Sequence, residues 1–195
     1  MKKIFALLEF LNDKIFFPIR FKINIKSIEP FLEGSKSILD IGTSDGRLVS
    51  IIEKDANINF FGTDKNIPKK RYLQCMVKCD GKRLSFKDNT FNCVTIIDML
   101  HHDGEPNKIV VEANRVSKEY VVIKDHYWIN RLDFLLLIFA DYIGNAPYKI
   151  DLPYNFFTIQ SLLGIVKNNK LSLIKFKLYF NPFKHIVLKL KKNNS

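Results

Sequence analysis

Five short apolar runs, each ending at or near an aspartate, set the strongest constraint on how this chain can fold. They are SILDI (37–41), INFFG (58–62), 73–78, 91–97 and YVVIK (120–124). Runs this apolar suit strands buried on both faces. After the first, Leu48, Ile51 and Ile52 fall at helical spacing, and 105–116 repeats that pattern with Pro106 in the first turn, where proline is tolerated. Further helices are expected over 131–142 and 157–166, and a closing strand pair over 171–180 and 185–191. The order predicts a helix, five β-α units and two final strands. It describes an α/β, doubly wound sheet, mostly parallel with a closing antiparallel pair. Ligands of such a sheet gather beyond the carboxyl ends of its strands. The residues there are Asp40 to Gly46, Asp64, Asp80 with Gly81, Asp98 to His102, and Asp125 with His126.

A chain of 195 residues fits one domain with small additions. The expected division is an N-terminal helical segment over 1–35, acting as lid or cover, a main domain over 36–191 and a frayed tail over 192–195. The 31 Lys and Arg outnumber the 20 Asp and Glu, for a net charge of +11. That balance favours anionic partners, although a coding bias toward Lys, Asn and Ile produces the same excess. The three cysteines, Cys75, Cys79 and Cys93, contain no Cys-x-x-Cys pair, and no His lies near Cys75 or Cys79 in sequence. They support neither a disulfide framework nor a zinc site, and no metal is expected. Reduced thiols and the lack of a signal-peptide pattern predict a cytoplasmic protein.

The segment Ile38 to Gly46 joins the first strand to a helix through a glycine turn. Glycine permits the tight turn and the close approach of a ligand, and the helix start offers free N–H groups. Asp64, at the end of the next strand, is placed to bind both hydroxyls of a ribose. A dinucleotide would need G-x-G-x-x-G, whose second and third glycines are here Ser44 and Arg47. S-adenosylmethionine has no pyrophosphate, and Gly42 and Gly46 meet its lesser demand.

The chain resembles a class I S-adenosylmethionine-dependent methyltransferase of the small, Rossmann-like type related to ubiquinone and menaquinone methyltransferases. The resemblance spans about residues 36–126. It rests on ILDIGTSDG, FFGTDK, CDGKRLSFKDNTFNCVTIIDMLHH and RVSKEYVVIKDH. It implies S-adenosyl-L-methionine as cofactor. Asp40 would orient the first loop, and Gly42, Thr43, Ser44 and Gly46 would face the methionine end. Asp64 would hold the ribose, Asp80 the adenine amino group with Gly81 lending its backbone, and Asp98 would lie beside the methyl donor. Ser44 replaces a glycine often found in the family.

Three of the four histidines, His101, His102 and His126, follow strand ends on the ligand side, while His185 falls outside. Histidine suits proton transfer near neutral pH, so His126 and His102 are the candidate bases, with Asp125 placed to orient His126. The resemblance implies that the aromatic-rich stretch 141–158 shapes an acceptor pocket and that the Phe- and Leu-rich segment 4–25 covers the cofactor; contact with a membrane surface is the alternative for that segment. A small-molecule or lipid-like acceptor is the leading expectation. An RNA or protein methyltransferase and a non-catalytic protein that kept the fold are the alternatives. Nucleic acid is disfavoured as a partner, and no Asn-Pro-Pro-Tyr motif follows the fourth strand.

Overall fold

The computed structural model describes residues 17–56, 58–145, 152–180 and 183–193. The expected helix at the very start, residues 146–151 of the aromatic stretch and the last two residues of the tail lie outside these.

The first element is helix α1 (Phe17–Leu32). Strand β1 (Ser37–Ile41) leads through the glycine turn into α2 (Arg47–Ala56). Then come β2 (Asn59–Asp64), β3 (Met76–Lys78), β4 (Phe91–Ile97), a 3-10 turn (Leu100–His102) and α3 (Pro106–Val116). The chain continues as β5 (Ser117–His126), α4 (Arg131–Asn145), α5 (Ile159–Asn168), β6 (Leu171–Tyr179) and β7 (His185–Lys192). The seven strands form one sheet in the order β3-β2-β1-β4-β5-β7-β6. The first five are parallel, and β7 runs antiparallel to both β5 and β6. The doubly wound, mostly parallel sheet with an antiparallel closing pair is therefore present.

Period-2 alternation divides the core between two faces. Leu39 and Ile41, Val94 and Ile96, and Val121 and Ile123 pack with α3 and α5 residues in one cluster. Ile38, Cys93 and Val122 point the other way and join Ile28 and Phe31 of α1 with Val49 and Ile52 of α2. Each such side chain taken fully out of water contributes about 1.5–3 kcal/mol. On α3 the buried residues Ile109, Val110, Ala113 and Val116 recur every three or four positions, which fixes the face it presents.

Two expectations change here. Five complete β-α units do not form, because no helix joins β2 to β3 or β3 to β4 among the described residues. The third strand is also shorter than 73–78. Leu73, only 2% exposed, leaves the strand and packs beneath the glycine turn instead. A Cβ on Gly46 would stand 2.5 Å from Leu73 Cβ and 3.0 Å from its backbone nitrogen, and φ there is +75°. Strain and overlap together give Gly46→Ala an expected cost of about 2 kcal/mol. A drop of about 4–8 °C in melting temperature would register it; an unchanged melting temperature would refute the packing described here.

Candidate active site

The carboxyl ends of β1, β2, β4 and β5 meet at one edge of the sheet, and nearly all of the expected site residues gather there. Gly42 takes φ +79° and donates its N–H to Thr63 O at 2.8 Å; Thr43 donates to the same oxygen at 3.0 Å. A side chain at Gly42 would collide with Met99 Cγ at 2.3 Å. Ser44 also adopts a positive φ, 56°, and its N–H reaches Asp64 Oδ2 at 2.9 Å. Asp64 Oδ1 accepts from Asn66 N at 2.8 Å. Each oxygen of the carboxylate keeps a further lone pair for a ligand hydroxyl. Asp80 is exposed and caps its own turn, accepting from Lys82 N at 2.9 Å, while Gly81 is buried against Ile41 at φ +82°.

Asp40 does not reach the surface of this edge. It is 3% exposed below the loop and accepts from Thr95 Oγ1 at 2.6 Å. Burial pushes its carboxyl up to about 7, against the pull of the Thr95 hydroxyl.

Asp98, with φ 49°, is engaged by a residue that the sequence did not single out. Lys124, 1% exposed, donates to both of its oxygens, at 2.5 and 2.6 Å, and Asn24 of α1 donates to Oδ2 at 3.1 Å. Burial works against the charge of Asp98, but the Lys124 ammonium and then His126 hold the carboxyl well below its usual range. Alternation along β5 was the available signal for Lys124: it follows Ile123 and points to the opposite face.

Asp125 was expected to serve His126. Its Oδ1 instead lies 2.6 Å from His101 Nδ1 and also accepts the backbone N–H of His126. Both side chains of the His101–Asp125 pair are buried, at 3% and 0% exposure. Burial opposes protonation of His101, yet the Asp125 carboxylate and then Asp141 raise it to about 10. His126 lies 3.6 Å from Asp98 Oδ1 through Nε2. Burial, with the Lys124 charge second, lowers it to about 3. His102 is lowered as well, by burial and by His101. Its Nε2 lies 3.6 Å from Asp141 Oδ1, and its Nδ1 is buried with no partner among the described residues.

His185 does not fall outside the cluster. The β5–β7 register pairs it with His126, and the two rings stand 6.1 Å apart. Aromatic side chains complete this wall: Phe156 stacks on His101 at 4.9 Å, and Trp128 donates from Nε1 to Phe156 O at 3.0 Å. Asn155 ties the same stretch down, its N–H on His101 O and its Nδ2 on Asp103 O. The three cysteines are free thiols, and no described helix is long and apolar enough to cross a membrane.

A family model described as a methyltransferase domain matches residues 39–122, the span from β1 through most of β5. Over those residues the chain carries a methyltransferase domain. The match is to the domain at large and does not select the ubiquinone and menaquinone subtype. No curated protein matches the chain. Solved structures share the domain's fold at low identity. An S-adenosylmethionine-dependent methyltransferase from Thermotoga maritima is 16% identical over 99% of this chain and all of its own, with a TM-score of 0.67. The 1,6-didemethyltoxoflavin-N1-methyltransferase of Burkholderia thailandensis, solved with its substrate and S-adenosylhomocysteine, is 13% identical over 89% of this chain and 78% of its own, at 0.69. The magnesium protoporphyrin IX methyltransferase of Synechocystis PCC 6803, with bound S-adenosylhomocysteine, is 14% identical over 87% and 82%, at 0.63.

Proposed function

We propose that the methyltransferase domain transfers a methyl group from S-adenosylmethionine to a small, partly planar acceptor held against the histidine and aromatic wall. One observation carries this reading: the ribose-type acid Asp64 is tied by Ser44 N to the same loop that Gly42 and Gly46 shape. That arrangement presents a carboxylate and a close-approach loop to one ligand. Asp64 takes the ribose hydroxyls, Asp80 and the Gly81 backbone take the adenine edge, and the turn from Gly42 to Gly46, with Thr43 and Ser44, faces the methionine end. Asp40, two residues before that turn, is held beneath it by the Thr95 hydroxyl of β4. Asp98, held by Lys124 and Asn24, borders the reacting methyl group.

The cofactor supplies an already activated methyl group, so the protein's work is alignment and proton removal. His126 and His102 are the side chains placed for the second task. Low basicity keeps His126 neutral at pH 7, with a lone pair free. A hydroxyl that has just accepted a methyl cation is a strong acid, so a weak base suffices to take its proton. Stacked Phe156 and nearby Trp128 suit a flat acceptor. Two of the similar structures carry flat, small-molecule acceptors in their names, which supports the class of acceptor proposed. Asn24, reaching Asp98 from α1, supports a covering role for the N-terminal region.

The direct test is calorimetry with S-adenosylhomocysteine on the wild type and on Asp64→Ala, followed by methyl transfer to pooled small metabolites. Losing the hydrogen bonds to this charged group is expected to weaken binding by about 1.5–3 kcal/mol.

A further inference from the structure

We propose that His101, His102 and Asp141 form a binding site for one divalent transition-metal ion of the zinc class. The three residues come from two elements, the 3-10 turn after β4 and helix α4, and each offers a ligand atom within 4.8 Å of the other two. His101 Nε2 and His102 Nε2 lie 3.8 and 3.6 Å from Asp141 Oδ1. These separations exceed ordinary hydrogen-bond distances. They come close to the edge of about 3.3 Å that a tetrahedron with bonds of about 2.0–2.1 Å requires. With all three ligand atoms within 4.8 Å of one another, the longest separation must shorten by up to about 1.5 Å for the three to share one ion.

Three further observations point to an ion. Asp141 is 8% exposed, and its Oδ2 is buried with no partner among the described residues, which is uncommon for a carboxylate oxygen. His101 places Nδ1 on Asp125 at 2.6 Å; a carboxylate only accepts, so Nδ1 carries a proton, Nε2 is the atom turned toward Asp141, and an ion binds there in exchange for the Nε2 proton. Asp141 is itself oriented by Asn145 Nδ2 at 2.6 Å. Outer partners of this kind are what fix histidine and carboxylate ligands around a metal. Two imidazoles and one carboxylate favour zinc, cobalt, nickel or iron(II) over magnesium or calcium, and they leave a coordination position open. The cysteines take no part.

The cluster starts three residues beyond Asp98 in the chain, and the His101 ring stands 5.8 Å from that of His126. An acceptor oxygen in the open position would become more acidic and be held in place. This role rests on the methyl-transfer reading and assigns His102 to the ion rather than to the proton; the binding itself does not depend on that reading.

Cobalt(II) is the probe, since its visible absorption reports ligand type and number. Titration of the full chain is expected to show one bound equivalent, displaced by zinc but not by magnesium, with no thiolate charge-transfer band. His102→Ala and Asp141→Asn should each weaken binding on the order of 100-fold or more, and Asp125→Asn by about 10–100-fold. Cys75→Ser and Cys79→Ser should leave the titration unchanged. His102 is the most exposed of the three ligands, so its alanine variant is expected to fold, and a thermal melt checks it. The proposal is overturned if the folded wild type shows no saturable binding, or if binding survives in both His102→Ala and Asp141→Asn. Either result would leave His101, Asp125 and Asp141 as a proton-mediated ion-pair network. Failure of S-adenosylhomocysteine to bind would defeat the methyl-transfer reading while leaving the cobalt result standing.

Discussion

Replacing Lys124 by methionine is expected to lower stability by about 3 kcal/mol, a fall of about 6–12 °C in melting temperature for a chain of this size. Methionine fills a similar volume, so the loss comes from charge. Lys124 is 1% exposed and bonds both oxygens of Asp98, which keeps a fifth of its side-chain exposure. Without the ammonium, Asp98 is left as a largely buried carboxylate to which, among the described side chains, Asn24 alone donates. Its residual contact with water places the cost near the lower end of the range for breaking a buried pair. Adding Asp98→Asn removes the stranded charge, so the double variant should be more stable than the sum of the two single losses predicts. A melting curve for Lys124→Met that overlays the wild type would show that the pair does not support the fold.

His126→Ala is expected to lower turnover by about 10²–10⁴, the usual contribution of a positioned proton acceptor. The affinity for S-adenosylhomocysteine should stay the same, because the groups proposed to hold the cofactor lie on β1, β2 and the loop after β3. His126 is lowered to about 3 by burial and by Lys124. It therefore stays neutral from pH 5 upward, and it adds no limb to the pH–rate profile between pH 5 and 8. If His126 only packs, against His101 and His185, rate and melting temperature should fall together. Normal turnover would remove it from the chemistry and leave alignment alone.

The strands that local sequence defines best were legible in advance. β1 and β4 match their expected bounds of 37–41 and 91–97, because both are continuous apolar runs between turn residues. β5 extends well past 120–124, to Ser117–His126, because pairing with β4 and β7 sustains it where its own sequence turns polar. That extension brings His185 to His126, a contact made by sheet register between distant segments. The aspartates do lie at the strand ends, along the edge of the sheet where the sequence places them. Their partners were not legible: Asp125 bonds His101 and Asp98 bonds Lys124 because β4 and β5 are neighbours in the sheet, and nothing in either segment alone says so. Leu73 likewise looked like a strand residue until Gly46 and Gly62 left a space for it.

The central claim is that the glycine loop and Asp64 hold an adenosyl cofactor, and one paired titration tests it most directly. Calorimetry of wild type and Asp64→Ala with S-adenosylhomocysteine should give saturable binding for the wild type and an affinity about 10–150-fold weaker for the variant. NAD should give no heat with either protein. Equal dissociation constants for the two proteins, or binding of NAD with no response to S-adenosylhomocysteine, would contradict the account.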